Sequence, residues 1–466
     1  MEKTSNYDES FRDSISTVNQ QGKRAWVFPR KPKGKLHTYR AWVAGFLLAF
    51  FFFMPFVKVN GDPFILLDVI NRRFILFGQI FWPQDTYLFA VMMLTLIVFI
   101  VVFTVALGRF WCGWACPQTI FMEMLFRKIE YWIEGDAQQQ KQLKKQPLSF
   151  EKFWKRTLKY SIFTAFSLLI SLTLFAWVIG VDRVFEIITT SWSLNKAPII
   201  GMFFVSGFLM FIYSWFREQV CVILCPYGRL QGVLLDANTI LVAYDYKRGE
   251  PRGPLKKDED RAAAGKGDCI DCHLCVDVCP TAVDIRNGTQ LECINCTACI
   301  DACNRTMTRI NKPKGLIRFD SEKGISTGKK LRLNARLIAY IVVLLGLFSF
   351  MNYLIFSRDD IETTILRTPG MLYQEQPDGQ ISNLYSITVI NKKREQMTVE
   401  LKLLSTTGKV VMPSGNLEVK EAASAEGIFF VYLNENDAKG KIKLKVGVYA
   451  GQKLIEELEI PFVGKN

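Results

Sequence analysis

Histidine is nearly absent from this chain of 466 residues: His37 and His273 are the only two. Bis-histidine haem sites and histidine-rich zinc sites are thereby all but excluded, and any metal must be held mainly by sulfur. Cysteine is missing before position 112 and after position 303; all twelve lie between Cys112 and Cys303. Charged residues make up 22%, slightly under the ~25% of ordinary domains, while 50% of residues are hydrophobic and 13% aromatic. That mix excludes a disordered chain, a collagen-like chain and a small disulfide scaffold. No G-x-G-x-x-G opens a helix, so no NAD or flavin site is supported. The run Gly324-Ile325-Ser326-Thr327-Gly328-Lys329 misses the P-loop spacing by one residue.

What the chain has in quantity is long apolar runs. A bilayer core needs about 20 apolar helical residues, and five stretches reach or approach that length: 41–57, 87–107, 160–180, 198–216 and 337–356. Buried helices of a water-soluble protein would carry polar faces, which these lack. The first is too far from the start, and too basic in its lead, for a cleaved signal peptide. The net charge is +14, with +15 on positions 1–356 and −1 on positions 357–466. A basic chain can mean nucleic acid, but here the positive charge flanks the apolar runs, so no nucleic-acid partner is expected. Residues 1–40 carry nine Lys and Arg, 58–86 three, 108–159 ten, 181–197 two and 217–336 twenty. By the positive-inside rule this alternation puts the N-terminus and segments 108–159 and 217–336 in the cytoplasm, and segment 357–466 outside. The cysteines agree, since the outside segment has none and the reducing side holds them all.

The outside segment reads as all-β. Short runs at 384–390, 397–403, 428–433, 442–450 and 454–463 are rich in β-formers, and several alternate apolar with polar residues. Turn signals separate them, at Thr407-Gly408, Ser414-Gly415-Asn416, 434–437 and Gly451. About 100 residues so spaced imply an immunoglobulin-type sandwich. With no histidine, cysteine or clustered carboxylates around a nucleophile, its role reads as binding or docking.

Eight cysteines form two runs of one spacing. Cys269, Cys272, Cys275 and Cys279 follow C-x2-C-x2-C-x3-C with Pro280 next, and Cys293, Cys296, Cys299 and Cys303 repeat it. This is the two-cluster ferredoxin pattern, in which the fourth cysteine of each run serves the other cluster. Cys269, Cys272, Cys275 and Cys303 are thus expected to hold one 4Fe-4S cluster, and Cys293, Cys296, Cys299 and Cys279 the second. Asn304 stands where proline is expected after Cys303. The bland alternative is an eight-cysteine zinc ribbon. His273 reads as a surface or supporting residue, and Val283-Asp284-Ile285 with Asn287-Gly288 reads as a strand entering a tight hairpin turn.

The other four cysteines pair in a second way. Cys112-Gly113-Trp114-Ala115-Cys116-Pro117 follows the second span and Cys221-Val222-Ile223-Leu224-Cys225-Pro226 follows the fourth. Cys221 stands as far along the chain from Cys112 as Cys225 does from Cys116. Spans one–two and three–four therefore look like a parallel repeat with both motifs at one membrane face. If each C-x3-C is helical, its two sulfurs share a face; proline biases the preceding cysteine away from α, so a break is the alternative. The four sulfurs can be a soft-metal site (copper(I), zinc or iron–sulfur), a redox dithiol or two packing pairs. The methionines at 92, 93, 122 and 124 read as packing residues rather than copper ligands.

Read together, these elements give a multi-domain chain: an α-helical membrane bundle of five spans, a cytoplasmic two-cluster ferredoxin insert, and a C-terminal all-β Ig-like sandwich. The expected division is 1–40 N-terminal segment, 41–235 four-span domain with both C-x3-C-P motifs, 236–336 ferredoxin-type domain, 337–356 fifth transmembrane helix, and 357–466 outside domain.

The combination resembles one family, the cytochrome c oxidase accessory proteins CcoG, also called FixG or RdxA. The likeness covers nearly the whole chain. It is carried by Gly108-Arg109-Phe110-Trp111-Cys112-Gly113-Trp114-Ala115-Cys116-Pro117-Gln118-Thr119, by 221–229, by Tyr244-Asp245 with Arg248-Gly249-Glu250-Pro251-Arg252-Gly253, by Glu292-Cys293-Ile294-Asn295-Cys296 and by the Ig-like domain. The resemblance implies a bacterial inner-membrane protein with its last domain periplasmic. It implies a cupric reductase that converts Cu(II) to Cu(I) for assembly of a C-family haem–copper oxidase. Cys112, Cys116, Cys221 and Cys225 then become the candidate copper or redox site. The implied partners are the lipid bilayer, copper ion, a copper chaperone or transporter, oxidase assembly factors and an unidentified electron donor; a homodimer is compatible with the sequence. Two rival classes remain. One is a quinol-oxidising membrane ferredoxin feeding a respiratory reductase, which lacks the fifth span and the β domain. The other is an iron–sulfur redox sensor or scaffold.

Overall fold

The computed structural model describes residues 17–18, 21–59, 61–69, 73–82, 85–190, 193–256, 261, 263–328, 335–358, 361–368, 372–377, 379–392, 395–421, 423–435 and 437–465. The chain forms two compact units, Met1–Met351 and Asn352–Asn466.

Among the described residues, five helices are long and apolar enough to cross a membrane: Lys35–Phe56, Thr86–Leu107, Phe150–Ile179, Lys196–Phe216 and Ala335–Phe356. Leu, Ile, Val and Phe surround these helices instead of forming one stripe, as a lipid solvent requires. The fifth buries none of its described residues, the extreme of that pattern. The third starts well before its apolar run because Ser149 caps it, accepting a hydrogen bond from Lys152 N. Its 30 residues reach about 45 Å, beyond the ~30 Å hydrocarbon core. Third and fourth spans pack together, with the Ser171 hydroxyl donating to Met202 O at 2.8 Å, and Trp177 Nε1 donates to Phe51 O of the first span at 3.0 Å.

Two elements between spans lack a strong sequence signal. A three-stranded antiparallel sheet, Ile65–Asp68, Arg73–Leu76 and Gln79–Phe81, links the first two spans. Between the third and fourth, Val181–Thr189 is a short helix whose Val181, Val184 and Ile187 are buried while Phe185 and Ile188 stay exposed. Apolar residues on both sides suit a helix lying at a membrane surface.

The cysteine-rich segment is clasped by an antiparallel pair, Leu241–Tyr244 with Ile317–Asp320, and contains the helix Ala298–Arg309. The expected strand and hairpin at 283–288 do not form. Ile285–Asn287 is a 3-10 turn instead, because the Asp284 carboxylate accepts from Arg286 N and binds its guanidinium at 2.6 Å. Such local side-chain bonds compete with a strand ladder.

One side chain of this segment reaches the head of the first membrane helix. Asp301, buried on the helix Ala298–Arg309, accepts hydrogen bonds from Leu36 N at 3.4 Å and His37 N at 2.8 Å. It caps the first span from far along the chain, supplying both an acceptor and a negative charge at a helix N-terminus. Gly34 permits the approach, since a Cβ there would meet Asp301 Cγ at 2.2 Å.

The second unit is an antiparallel sandwich. One sheet runs Gly408–Val411, Ser424–Asn434, Gln380–Asn391, Ile361–Arg367, and the other Leu417–Val419, Met397–Leu403, Lys441–Ala450, Lys453–Val463. Ile387, Val389, Val399, Val431, Val446, Val448 and Phe462 fill the core between them. The alternating runs read from sequence lie inside five of these strands.

Asp301→Ala should lower stability by about 1–2 kcal/mol, the worth of a cap with a dipole contribution. Asp301→Asn, which retains an acceptor, should lose much less. Unfolding midpoints of the two variants in one detergent check the ordering.

Candidate iron–sulfur and thiol site

The eight ferredoxin-type cysteines ring two cavities. Cys269, Cys272, Cys275 and Cys303 line one, with Tyr244, Leu316 and Ile317. Cys279, Cys293, Cys296 and Cys299 line another, with Val242, Val283 and Ile294, and Cys275 borders both. The fourth cysteine of each run thus stands in the wall of the other run's cavity. Among the described residues no three His, Cys, Asp or Glu side chains converge closely enough to hold a single metal ion. A zinc ribbon needs such convergence; a cubane needs sulfurs spread around a volume, one per iron. The donor set therefore fits 4Fe-4S clusters.

The loops reach that spread by local backbone geometry. Asp271 and His273 in the first run, and Asn295 and Thr297 in the second, all have φ between 52° and 66°. The second pair follows the first at the same offset by which Cys293 follows Cys269. Non-glycine residues at positive φ cost about 1 kcal/mol each or more, and here they curl the chain around each cavity. Burial comes first among the influences on the thiols. It pushes Cys275, Cys293 and Cys303 up to about 12 and Cys279 up to about 11. Thiolates in such a setting need bound cations to compensate them. Val283 N already donates to Cys279 Sγ at 3.4 Å.

The spacing of the cysteines does not reveal Arg286. Its buried guanidinium lines the first cavity, pairs with Asp284 and Asp271, and approaches His273 Nδ1 at 3.0 Å. His273 is largely exposed and bonded to these neighbours. The signal for Arg286 is weak in sequence, one arginine shortly after an aspartate.

The two C-x3-C-P motifs have matching geometry. Gly108 and Arg217 close the second and fourth spans at φ/ψ of 55°/−128° and 53°/−124°. Cys116 and Cys225 are extended, at −62°/123° and −68°/111°, each followed by a proline-started helix. Cys116 N donates to Trp111 O at 2.9 Å, and Cys225 N to Val220 O at 2.8 Å. The helical version of the motif is not what forms; proline breaks each helix at the second cysteine. Both motifs then neighbour residues that wall the second cavity. Cys112 packs against the buried cluster that includes Ile294 and Cys296, and Cys221 lines a small cavity with Pro280, Thr281 and Ile294, the last two shared with the cluster cavity. Cys112 Sγ donates to Gln231 Oε1 at 3.3 Å while Gln231 Nε2 is buried without a partner. Turning that amide would present an N–H to a thiolate. Burial pushes the Cys112 and Cys221 thiols up to about 12. Met122 and Met124 are buried packing residues.

The contact is held closely. A Cβ on Gly113 would lie 2.4 Å from Ile294 O and 3.1 Å from Cys296 Cα. Arg40 Nε of the first span donates to Gly113 O at 2.7 Å, Trp114 Nε1 donates to Asn295 O at 3.3 Å, and Arg109 donates to Leu291 O and Gly228 O. Beneath lies a buried ionic network. Arg217 holds Glu130 in a two-point bond at 3.0 and 2.9 Å, Arg127 pairs with Glu123 at 2.9 Å, Arg24 with Glu218 at 3.2 Å, and Lys159 with Glu134 at 2.7 Å. Unpaired, such charges would cost several kcal/mol each. The two-point bond offsets the strain of an arginine at positive φ, at the position where the first repeat uses Gly108.

Five apolar helices, two cysteine-ringed cavities and an antiparallel sandwich define a multi-pass membrane iron–sulfur electron-transfer protein. The comparisons agree. Residues 216–322 match a 4Fe-4S dicluster domain, 89–135 a 4Fe-4S binding domain, and 351–465 the IG-like fold at the C-terminus of FixG. Protein RdxA of Cereibacter sphaeroides is 36% identical over 430 residues, 88% of this chain and 89% of the relative. Protein RdxB of the same organism is 35% identical over 408 residues, 84% of each chain. Nitrogen fixation protein FixG of Rhizobium meliloti is 30% identical over 450 residues, 87% of this chain and 83% of the relative. The chain belongs to the FixG/RdxA family.

Gly113→Ala should cost about 1–3 kcal/mol, as overpacking against backbone does, and loosen the second cavity without touching a cysteine. Gly45→Ala, where a Cβ meets nothing within 4 Å, is the control. Unfolding midpoint and iron content of both variants measure the difference.

Proposed function

We propose that this protein is a one-electron cupric reductase, turning Cu(II) into Cu(I) at the paired C-x3-C-P turns for assembly of a C-family haem–copper oxidase. One observation carries the reading: Cys112 packs against the apolar cluster that includes Ile294 and Cys296 of the second cavity's wall, and Cys221 lines a small cavity that shares Thr281 and Ile294 with it. Cys269, Cys272, Cys275 and Cys303 would hold one 4Fe-4S cluster, and Cys293, Cys296, Cys299 and Cys279 the other. Bound there, the clusters would supply reversible one-electron redox capacity. Cys112, Cys116, Cys221 and Cys225 would receive the copper substrate. Each copper accepts one electron, and soft thiolate favours the Cu(I) product over Cu(II). The buried surroundings exclude water, and the Gln231 amide stands ready to stabilise a Cys112 thiolate. The counts of lysine and arginine support a cytoplasmic position for this site and a periplasmic one for the sandwich, where it would dock a copper carrier or an oxidase assembly factor.

The test is anaerobic purification, iron analysis and Cu(II) reduction by the dithionite-reduced protein, followed with a Cu(I) chelator. About eight irons per chain are expected, as two cubanes. Cys116→Ser and Cys225→Ser should each abolish reduction and keep the iron. Wild-type rates in all four variants, Cys112→Ser and Cys221→Ser included, would move copper reduction away from these residues. A reporter fused after Asn466 should be active outside and one after Lys314 inside.

Copper(I) binding must also displace thiol protons. Burial holds the Cys112 and Cys221 thiols up at about 12, so both are protonated in the copper-free protein at neutral pH. Apparent affinity should therefore rise between about pH 6 and 8, by at most about tenfold per unit for each proton released. Competition titrations with a Cu(I) chelator across that range read the slope.

A further inference from the structure

One large cavity takes no part in the cluster or thiol sites. It is an open cavity of about 430 Å³ between the N-terminal segment, the helix Ala137–Lys145, the start of the third span and the end of the fourth. Four cations line it, Lys144, Arg156, Lys159 and Arg217, against one lining carboxylate, Glu134. Lys159 is paired with Glu134 and Arg217 with Glu130. Lys144 and Arg156 have no carboxylate within 4 Å among the described residues. Burial and the like charges of Arg24 and Arg156 push the Lys144 ammonium down. Lys144 instead faces the rings of Trp26 at 5.1 Å and Phe28 at 5.6 Å. Lys144 is exposed and Arg156 half-buried, so both can be reached by an anion from outside.

The position of the cavity says which source of anion fits. Tyr160 and Trp215 also line it, both exposed, one on the third span and one closing the fourth. Exposed Phe211 continues from Trp215 down the fourth span, stacked on it at 5.2 Å. Aromatic residues of this kind mark the headgroup level of a bilayer, and basic pockets between transmembrane helices take anionic headgroups. We infer that this cavity binds the phosphate of an anionic phospholipid, held by Lys144 and Arg156, with its acyl chains lying along the third and fourth spans. A free phosphate would satisfy the same cations but would leave the apolar approach unused. The occupied site adjoins Arg217, which also lines the small cavity beside Cys221, so the headgroup would sit one side chain away from the second C-x3-C-P turn.

The test uses the full chain, purified and exchanged into nanodiscs of phosphatidylcholine with or without phosphatidylglycerol, with bound lipid counted by native mass spectrometry. Wild-type protein should retain phosphatidylglycerol over phosphatidylcholine by at least about tenfold. The double variant Lys144→Gln/Arg156→Gln should lose that preference, and Lys144→Arg/Arg156→Lys should keep it. Unchanged iron content in both variants shows that the fold survives. Inorganic phosphate at millimolar concentration should not displace the lipid. Equal retention of the two lipids by wild type, or an undiminished preference in the glutamine variant, would overturn the proposal. Displacement by phosphate alone would make the site a free-anion site and overturn the lipid assignment.

Discussion

The first unit depends on the approach of Gly113 to the backbone of residues 294–296. There a turn that follows a membrane span meets a loop that forms a cysteine-ringed cavity, with no side chain between them. Trp114 and Arg109 bond across the same junction, and Arg40 of the first span holds Gly113 O behind it. The Asp301 cap ties the cysteine segment to the first span; this contact ties it to the turn after the second. With it, the thiols of the C-x3-C-P turns become part of the second cavity's surroundings. Water is excluded from the contact, and a low-dielectric setting of that kind strengthens each hydrogen bond in it.

Duplication operates at two scales. At the short one, the second cysteine loop repeats the first, down to the left-handed positions at 271 and 273, then 295 and 297. At the long one, the helix–turn unit of the second span recurs at the fourth, down to the dihedrals of Gly108 and Arg217. The copies diverge where their neighbours differ. At Gly108 a Cβ would crowd Leu241 Cδ2 at 2.3 Å and Ile240 O at 3.2 Å, so the leucine would have to move. Arg217 has an acidic partner within reach in Glu130, so the second copy tolerates a side chain in the same strained backbone.

Spacing carried most of what the sequence made legible. Ligand chemistry demands cysteines at fixed intervals, and bilayer thickness demands apolar runs of fixed length, so both leave periodic traces. The sandwich showed in its alternating runs, although the short strands Gly408–Val411 and Leu417–Val419 were hidden in turn-like sequence. The small sheet between the first two spans was missed because its strands are too short to show a period. The hairpin expected at 283–288 failed for a local reason, the Asp284–Arg286 bond. Arg286, Asp301 and the Arg217–Glu130 pair were invisible because their partners lie far off along the chain or look like ordinary surface charges. Pairing of that sort leaves no period to read.

The Asp301 cap has a consequence for how the molecule comes into being. A ribosome delivers the first span long before it delivers Asp301, so that helix enters the bilayer with its leading amides bonded only to water. They are captured later, when the cysteine segment has closed and brought its aspartate into place. Closure of the cysteine segment is thereby recorded at the head of a helix made long before it.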